Sequence, residues 1–143
     1  MDILTGTLLR FKTLENDYGY ARVIGKAPAD HFIEIFDFFG EFEPAALSDK
    51  DRRLMYPQLL DTHTEIETSI NGNWEIFMAP EEEFVPEDAE NIIFSIGVDG
   101  DEKYQNILGI EVSAELGEGC PKMLIKQDAH IQRAVNVMRK KRL

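Results

Sequence analysis

The sequence predicts an α+β fold: a mainly antiparallel β-sheet, strongly bent or partly closed, with a C-terminal α-helix packed on it. Three observations carry this. Short runs that alternate apolar and polar residues follow one another from the N-terminal end. Turn residues separate them at close intervals, as hairpin connections require. One stretch, at the C-terminal end, has the helical period. At 143 residues the chain fits a single domain, 1–143, able to bury a core without disulfide or metal staples.

Ile3 to Lys12 sets Ile3, Thr5, Thr7, Leu9 and Phe11 on one alternating face and reads as a strand. Glu15-Asn16-Asp17 is turn chemistry. Tyr18 to Ile24 resumes as a strand, and Gly19 between two tyrosines marks a bend, a bulge or the close approach of another backbone. Gly25 to Asp30 is a loop holding Pro28. Phe32 to Phe39, aromatic and β-branched, is a half-buried strand. After a connection over Glu41 to Ser48, Ser48 is placed to cap a short helix, Asp49 to Tyr56, which Pro57 ends. Thr62 to Ile70 reads as a strand joined through the hairpin signal Asn71-Gly72 to a strand from Asn73 to Met78. Ala79 to Glu90 is an acidic surface loop bounded by prolines. Ile92 to Val98 is a buried strand, and Tyr104 to Val112 pairs back after the turn Asp99-Gly100-Asp101. Gly117 to Pro121 breaks the chain, and Lys122 to Lys126 is extended. Asp128 to Leu143 is the helix, with Asp128 as N-cap and Ile131, Ala134, Val135 and Met138 on one face. Arg139 to Arg142 suit the negative end of its dipole.

The formal charge of −12 is unevenly spread: residues 1–120 hold 26 acidic against 8 basic side chains, while residues 121–143 hold 1 against 7. An acidic body opposes general nucleic-acid binding, whose phosphate contacts need a positive surface. It serves solubility and suits a basic protein partner. No run approaches the ~18 apolar residues of a membrane span, no signal-peptide pattern is present, and the single cysteine, Cys120, agrees with a reducing compartment. A cytoplasmic protein is expected.

Candidate chemistry is sparse. His31, His63 and His130 have no metal-ligand spacing among themselves or with Cys120. Cys120 stands in no nucleophile motif. Asp99-Gly100-Asp101-Glu102 has its glycine and glutamate misplaced for a calcium loop. With no phosphate-binding glycine loop or serine elbow either, the sequence gives no grounds for an enzyme, a cofactor or a metal. Trp74, the lone tryptophan, is placed to anchor the core or to close a groove. The acidic loop offers Glu81, Glu82, Glu83, Glu87, Asp88 and Glu90 as electrostatic contacts for a partner. Tyr18 and Tyr20 flank Gly19 and project from one strand face, either as aromatic anchors for a partner or as core.

Gly6-Thr7-Leu8-Leu9-Arg10-Phe11, then Tyr18-Gly19-Tyr20-Ala21-Arg22-Val23, then a strand ending in Phe36-Asp37-Phe38 form a distinctive succession. With Gly72-Asn73-Trp74-Glu75-Ile76 and the following Pro80, it resembles the type-26 immunity proteins of bacterial polymorphic toxin systems. The likeness covers residues 5–39 and 71–86, with Ala21 where the family pattern has a second glycine. It implies a small, mainly β protein that binds and neutralises a cognate toxin without catalysis of its own. Two other readings stay open. One is a small β-barrel that stacks nucleic-acid bases on its aromatics; the other is a small-ligand-binding or regulatory domain.

Overall fold

Alternating apolar residues give three long antiparallel strands at the N-terminal end: β1 (Leu8–Lys12), β2 (Tyr18–Lys26) and β3 (His31–Phe39). The computed structural model describes residues 2–44 and 52–142. Short strands β4 (Gln58–Leu60), β5 (Trp74–Met78) and β9 (Ile125–Lys126) complete a six-stranded sheet in the order β5-β1-β2-β3-β4-β9. Its pairings are antiparallel except for β4 with β9. A smaller antiparallel sheet holds β6 (Ile93–Ile96), β7 (Lys103–Asn106) and β8 (Glu111–Val112). Helix α1 (Asp128–Lys141) follows. The fold is therefore α+β, and among the described residues the large sheet stays open between its edges β5 and β9 rather than closing into a barrel.

Bulges between Gly19 and Ala21 and between Val23 and Gly25 bend the β2–β3 pair. Gly19 is required by packing: a Cβ there would lie 2.5 Å from the Phe11 ring. The odd-numbered residues of β1 and β3, with Ala21 and Val23, form one face of the sheet. Leu9, Phe11, Ile33, Ile35 and Trp74 bury there against Ile131 and Val135 of α1. On the other face, Phe32 and Ile24 pack against Phe94 of the small sheet, while Tyr20 and Phe36 join Phe38, Phe42 and Phe77.

α1 is fixed at both ends. Its first free N–H, at Asp128, donates to the carboxylate of Glu65, which is 1% exposed. Gln127, not Asp128, occupies the N-cap position. The Asp128 carboxylate instead accepts from Trp74 Nε1 at 2.8 Å, Asn73 at 2.9 Å and Gln132 at 3.1 Å. At the other end Arg139 holds Asp17 through two hydrogen bonds and Arg142 pairs with Asp37. Part of the basic tail is thus used within the fold, against the acidic body.

Several expectations change. Thr62–Ile70 is not a strand: His63–Glu67 is a π-helical turn, opened by Asp61, whose carboxylate accepts from the backbone N–H and hydroxyl of Thr64. Asn71-Gly72 is a turn but joins no hairpin, because β5 pairs with β1. Tyr104–Val112 is two strands, parted by a turn in which the Asn106 side chain accepts from the N–H groups of Leu108 and Ile110. Of the expected helix Asp49 to Tyr56, residues 49–51 and the cap Ser48 lie outside the described residues; Arg53 bridges to Phe36 instead of continuing a helix.

Candidate functional site

The acidic segment 79–91 crosses the face of the large sheet that α1 leaves open. Its anchors are local. Thr5 and Gly6 turn ahead of β1, and Gly6 has φ +99°, a conformation that favours glycine. A Cβ at Gly6 would stand 3.0 Å from the Cβ atoms of Phe84 and Pro80, so the segment lies directly on this turn. The Phe84 N–H donates to Thr5 O at 3.2 Å. Farther on, Pro86 is buried, and Ala89 enters the core between the sheets at the start of a 3-10 turn, Ala89–Asn91.

Beneath the segment lies a partly buried chain of charges. Alternation along β2 and β3 sends Arg22 and Glu34 to this face, where they are register partners. Glu34, 1% exposed, accepts from Arg22 Nε at 2.7 Å and from Arg53 Nε at 2.8 Å. Arg53 also holds Asp88 through both terminal nitrogens, at 2.5 and 3.1 Å. The Arg22 guanidinium lies 3.8 Å from the centre of the Phe84 ring. Burial disfavours the Arg53 cation, but hydrogen bonds to Asp88 and Glu34 overcome this and raise its pKa. Two arginines thus clamp the acidic segment to the sheet through one buried glutamate.

The clamp sorts the acidic candidates. Glu81, Glu82, Glu83, Glu87 and Glu90 are exposed and hold no ion pair among the described residues. Asp88 is turned inward onto Arg53, which places it in the clamp rather than among the outward carboxylates. The tyrosines divide as well. Tyr18, at the first position of β2, is 41% exposed, with the Arg10 guanidinium 4.2 Å from its ring centre. Tyr20, two residues into the sheet, is 1% exposed; its hydroxyl donates to Gly40 O at 2.9 Å, and burial raises its pKa. Tyr20 is core, so it offers no surface to a partner. Tyr18 and Arg22 share a face of β2, roughly 13 Å apart along the strand, so Tyr18 and the acidic segment look out on the same side.

The remaining candidates are structural or isolated. Trp74 is buried and stacks on Phe11 with ring centres 4.4 Å apart. His31 is buried and pairs through Nδ1 with the Thr62 hydroxyl at 2.7 Å, while His63 meets Glu67 on the surface. Cys120 is half-buried, and burial raises its thiol pKa, the opposite of what a nucleophile needs. Asp99 is held by Lys122 at 2.8 Å. Among the described residues no three His, Cys, Asp or Glu side chains converge to hold a metal ion, and no helix is long and apolar enough to cross a membrane. The charge chain itself escapes sequence reading, because Arg53 and Asp88 stand 35 residues apart. Only the opposed charges of Arg22 and Glu34 on adjacent strands hinted at it.

No protein-family model, curated protein or solved structure matches this chain.

Proposed function

We propose that this chain is a non-enzymatic immunity protein, acting in the cytoplasm, that binds a basic toxin domain through the outward carboxylates of its acidic segment. The observation that carries the reading is the clamp: five glutamates, at 81, 82, 83, 87 and 90, stand exposed on a backbone held at Gly6, Arg22, Arg53 and Ala89. Carboxylates on an ordered backbone lose less freedom on binding than those on a loose loop. A concentrated negative patch also speeds encounter with a positive surface. Tyr18, backed by Arg10 on the same face, supplies an aromatic contact of the kind that dominates interface energies. The resemblance over residues 5–39 and 71–86 supports the same role.

The test starts from the protein captured by this chain from its source cells. The captured protein should have a toxic activity that stoichiometric addition of this chain abolishes. Replacing Glu81, Glu82 and Glu83 by lysine should slow association about 10-fold or more at low salt and flatten its salt dependence. A captured protein that keeps full activity in the complex overturns the reading, and unchanged association kinetics removes the acidic segment from the interface.

A further inference from the structure

We propose that Asn71 is a modification site, open only when the 63–72 turn opens. Its side-chain amide is then lost to attack by the Gly72 nitrogen, and the carboxylate left behind weakens the hold on the start of α1. Of the asparagines in the chain only Asn71 precedes a glycine. Gly72 has φ +64°, and the space where a Cβ would stand is empty within 4 Å, so no side chain shields the peptide nitrogen that follows Asn71. Both residues are exposed, which gives water access. The Gly72 nitrogen bonds to Cγ of Asn71 and closes a cyclic imide. The bond from Cγ to the side-chain nitrogen breaks, and that nitrogen leaves as ammonia, taking the Gly72 proton. Water then opens the ring at either carbonyl and leaves aspartate, or its β-linked isomer, at position 71. Departure of ammonia makes the change one-way.

In the folded chain this step is held off at both atoms. The Asn71 amide nitrogen donates to the two carboxylate oxygens of Glu65 at 2.8 and 3.0 Å, and the Gly72 N–H donates to Ser69 O at 3.1 Å. Cγ and the attacking nitrogen meet only when these bonds part, so local opening of the turn gates the chemistry. The product cannot restore what was lost. Glu65 is 1% exposed and holds no ion pair among the described residues; its remaining donor is the Asp128 N–H in the first turn of α1, at 2.9 Å. A carboxylate at 71 that points inward sets like charge against Glu65 with no cation between them. One that turns to solvent leaves the buried Glu65 with that single donor. Either way, of the links that residues 71–74 make to the start of α1, only those of Asn73 and Trp74 with Asp128 persist. The modified chain is less stable, and its turn opens more readily.

Peptide mapping by mass spectrometry of the full chain alone tests this, with no toxin present, so its outcome is independent of the function proposed above. Held at neutral pH, folded or unfolded in guanidinium chloride, the chain should gain the NH-for-O mass change at Asn71, at least about 10-fold faster when unfolded. In urea unfolding of fresh protein, Asn71→Asp should lower the folded-to-unfolded ratio about 10-fold or more, as expected for a hydrogen bond lost from a buried charge. Glu65→Gln keeps an acceptor for the Asp128 N–H and adds a donor for a carboxylate at 71. In that background the same Asn71→Asp change should lower the ratio several-fold less. If Asn71→Asp alone does not fold, recovery of the fold with Glu65→Gln supports the inference and its absence overturns it. Equal rates in the folded and unfolded chain overturn the gating by the turn. An unfolded chain that keeps Asn71 intact while an Asn-Gly reference peptide converts overturns the site itself. An Asn71→Asp change equally costly with and without Glu65→Gln overturns the link to α1.

Discussion

Arg53→Ala removes a guanidinium that joins two carboxylates beneath the acidic segment. Three charge-assisted hydrogen bonds go with it: one to Glu34 at 2.8 Å and two to Asp88 at 2.5 and 3.1 Å. Glu34 is 1% exposed and cannot recover its loss from water, whereas Asp88, with a side chain 20% exposed, recovers part of it. Breaking a buried ion pair costs about 3–5 kcal/mol. Because Glu34 keeps Arg22, the expected cost is near the lower end, about 3 kcal/mol. Urea unfolding at neutral pH, followed by far-UV circular dichroism, measures it directly. The pairing should also show as coupling: Arg53→Ala combined with Glu34→Gln should cost at least about 1 kcal/mol less than the two changes summed. Limited proteolysis adds a local readout, since cleavage within 79–91 should appear before global unfolding once the clamp is cut. A loss below about 1 kcal/mol, or strict additivity in the double variant, would refute the argument that buried charge holds this segment in place.

Two further outcomes follow from the core. Trp74→Ala empties the stack on Phe11 and takes the indole donor from Asp128, so it should cost about 3–5 kcal/mol in the same urea assay; a cost under about 1 kcal/mol would mean that the site refills on its own. Burial, with Lys26 adding to it, holds the His31 imidazole below its ordinary value of 6.5, so the folded state binds this proton less readily than the unfolded chain. The resulting stability is complete above about pH 6.5 and falls as pH drops below it, by up to about 1.4 kcal/mol per pH unit. Asp30, raised by burial and by Asp61, acts with the opposite sign but nearer the carboxylate range. His31→Asn should therefore flatten the stability profile between about pH 7 and 5, and an unchanged slope would clear His31 of the effect.

The parts of the fold legible in sequence were those whose neighbours are close along the chain. The β1–β2–β3 meander shows its alternation because each strand pairs with the next, and α1 shows its period because its apolar face is continuous. The stretch 62–70 misled because its threonines and isoleucines favour a strand, while its conformation is set by Asp61 at the start and by Glu65, which turns inward to serve Asn71 and the N-terminus of α1. Asp61 three residues ahead of Thr64 was the local sign of a helical turn. The acidic segment was visible by composition, but the inward turn of Asp88 was not, since its cause, Arg53, is remote. Alternation sets Tyr18 and Tyr20 on one face; depth within the sheet, which separates them, depends on what packs above each ring. Tyr20 has Phe38, Phe42 and Phe77 around it.

The attachments of α1 also set the order of events in folding. Gln132 donates to Lys12 O across 120 residues, and Arg139 reaches Asp17 across 122. The sheet face formed by Leu9, Phe11, Val23, Ile33 and Ile35 has part of its cover in α1, a segment made well after β3. A growing chain can pair β1, β2 and β3 early, yet the cover of that apolar face stays incomplete, with only Leu54 and Ile66 to shield it, until residues 131–138 have emerged. Such a face is sticky and long-range closure is slow, so the nascent or truncated protein is the species most exposed to aggregation. Loss of α1 would therefore register first as insoluble protein rather than as a soluble sheet with weakened binding.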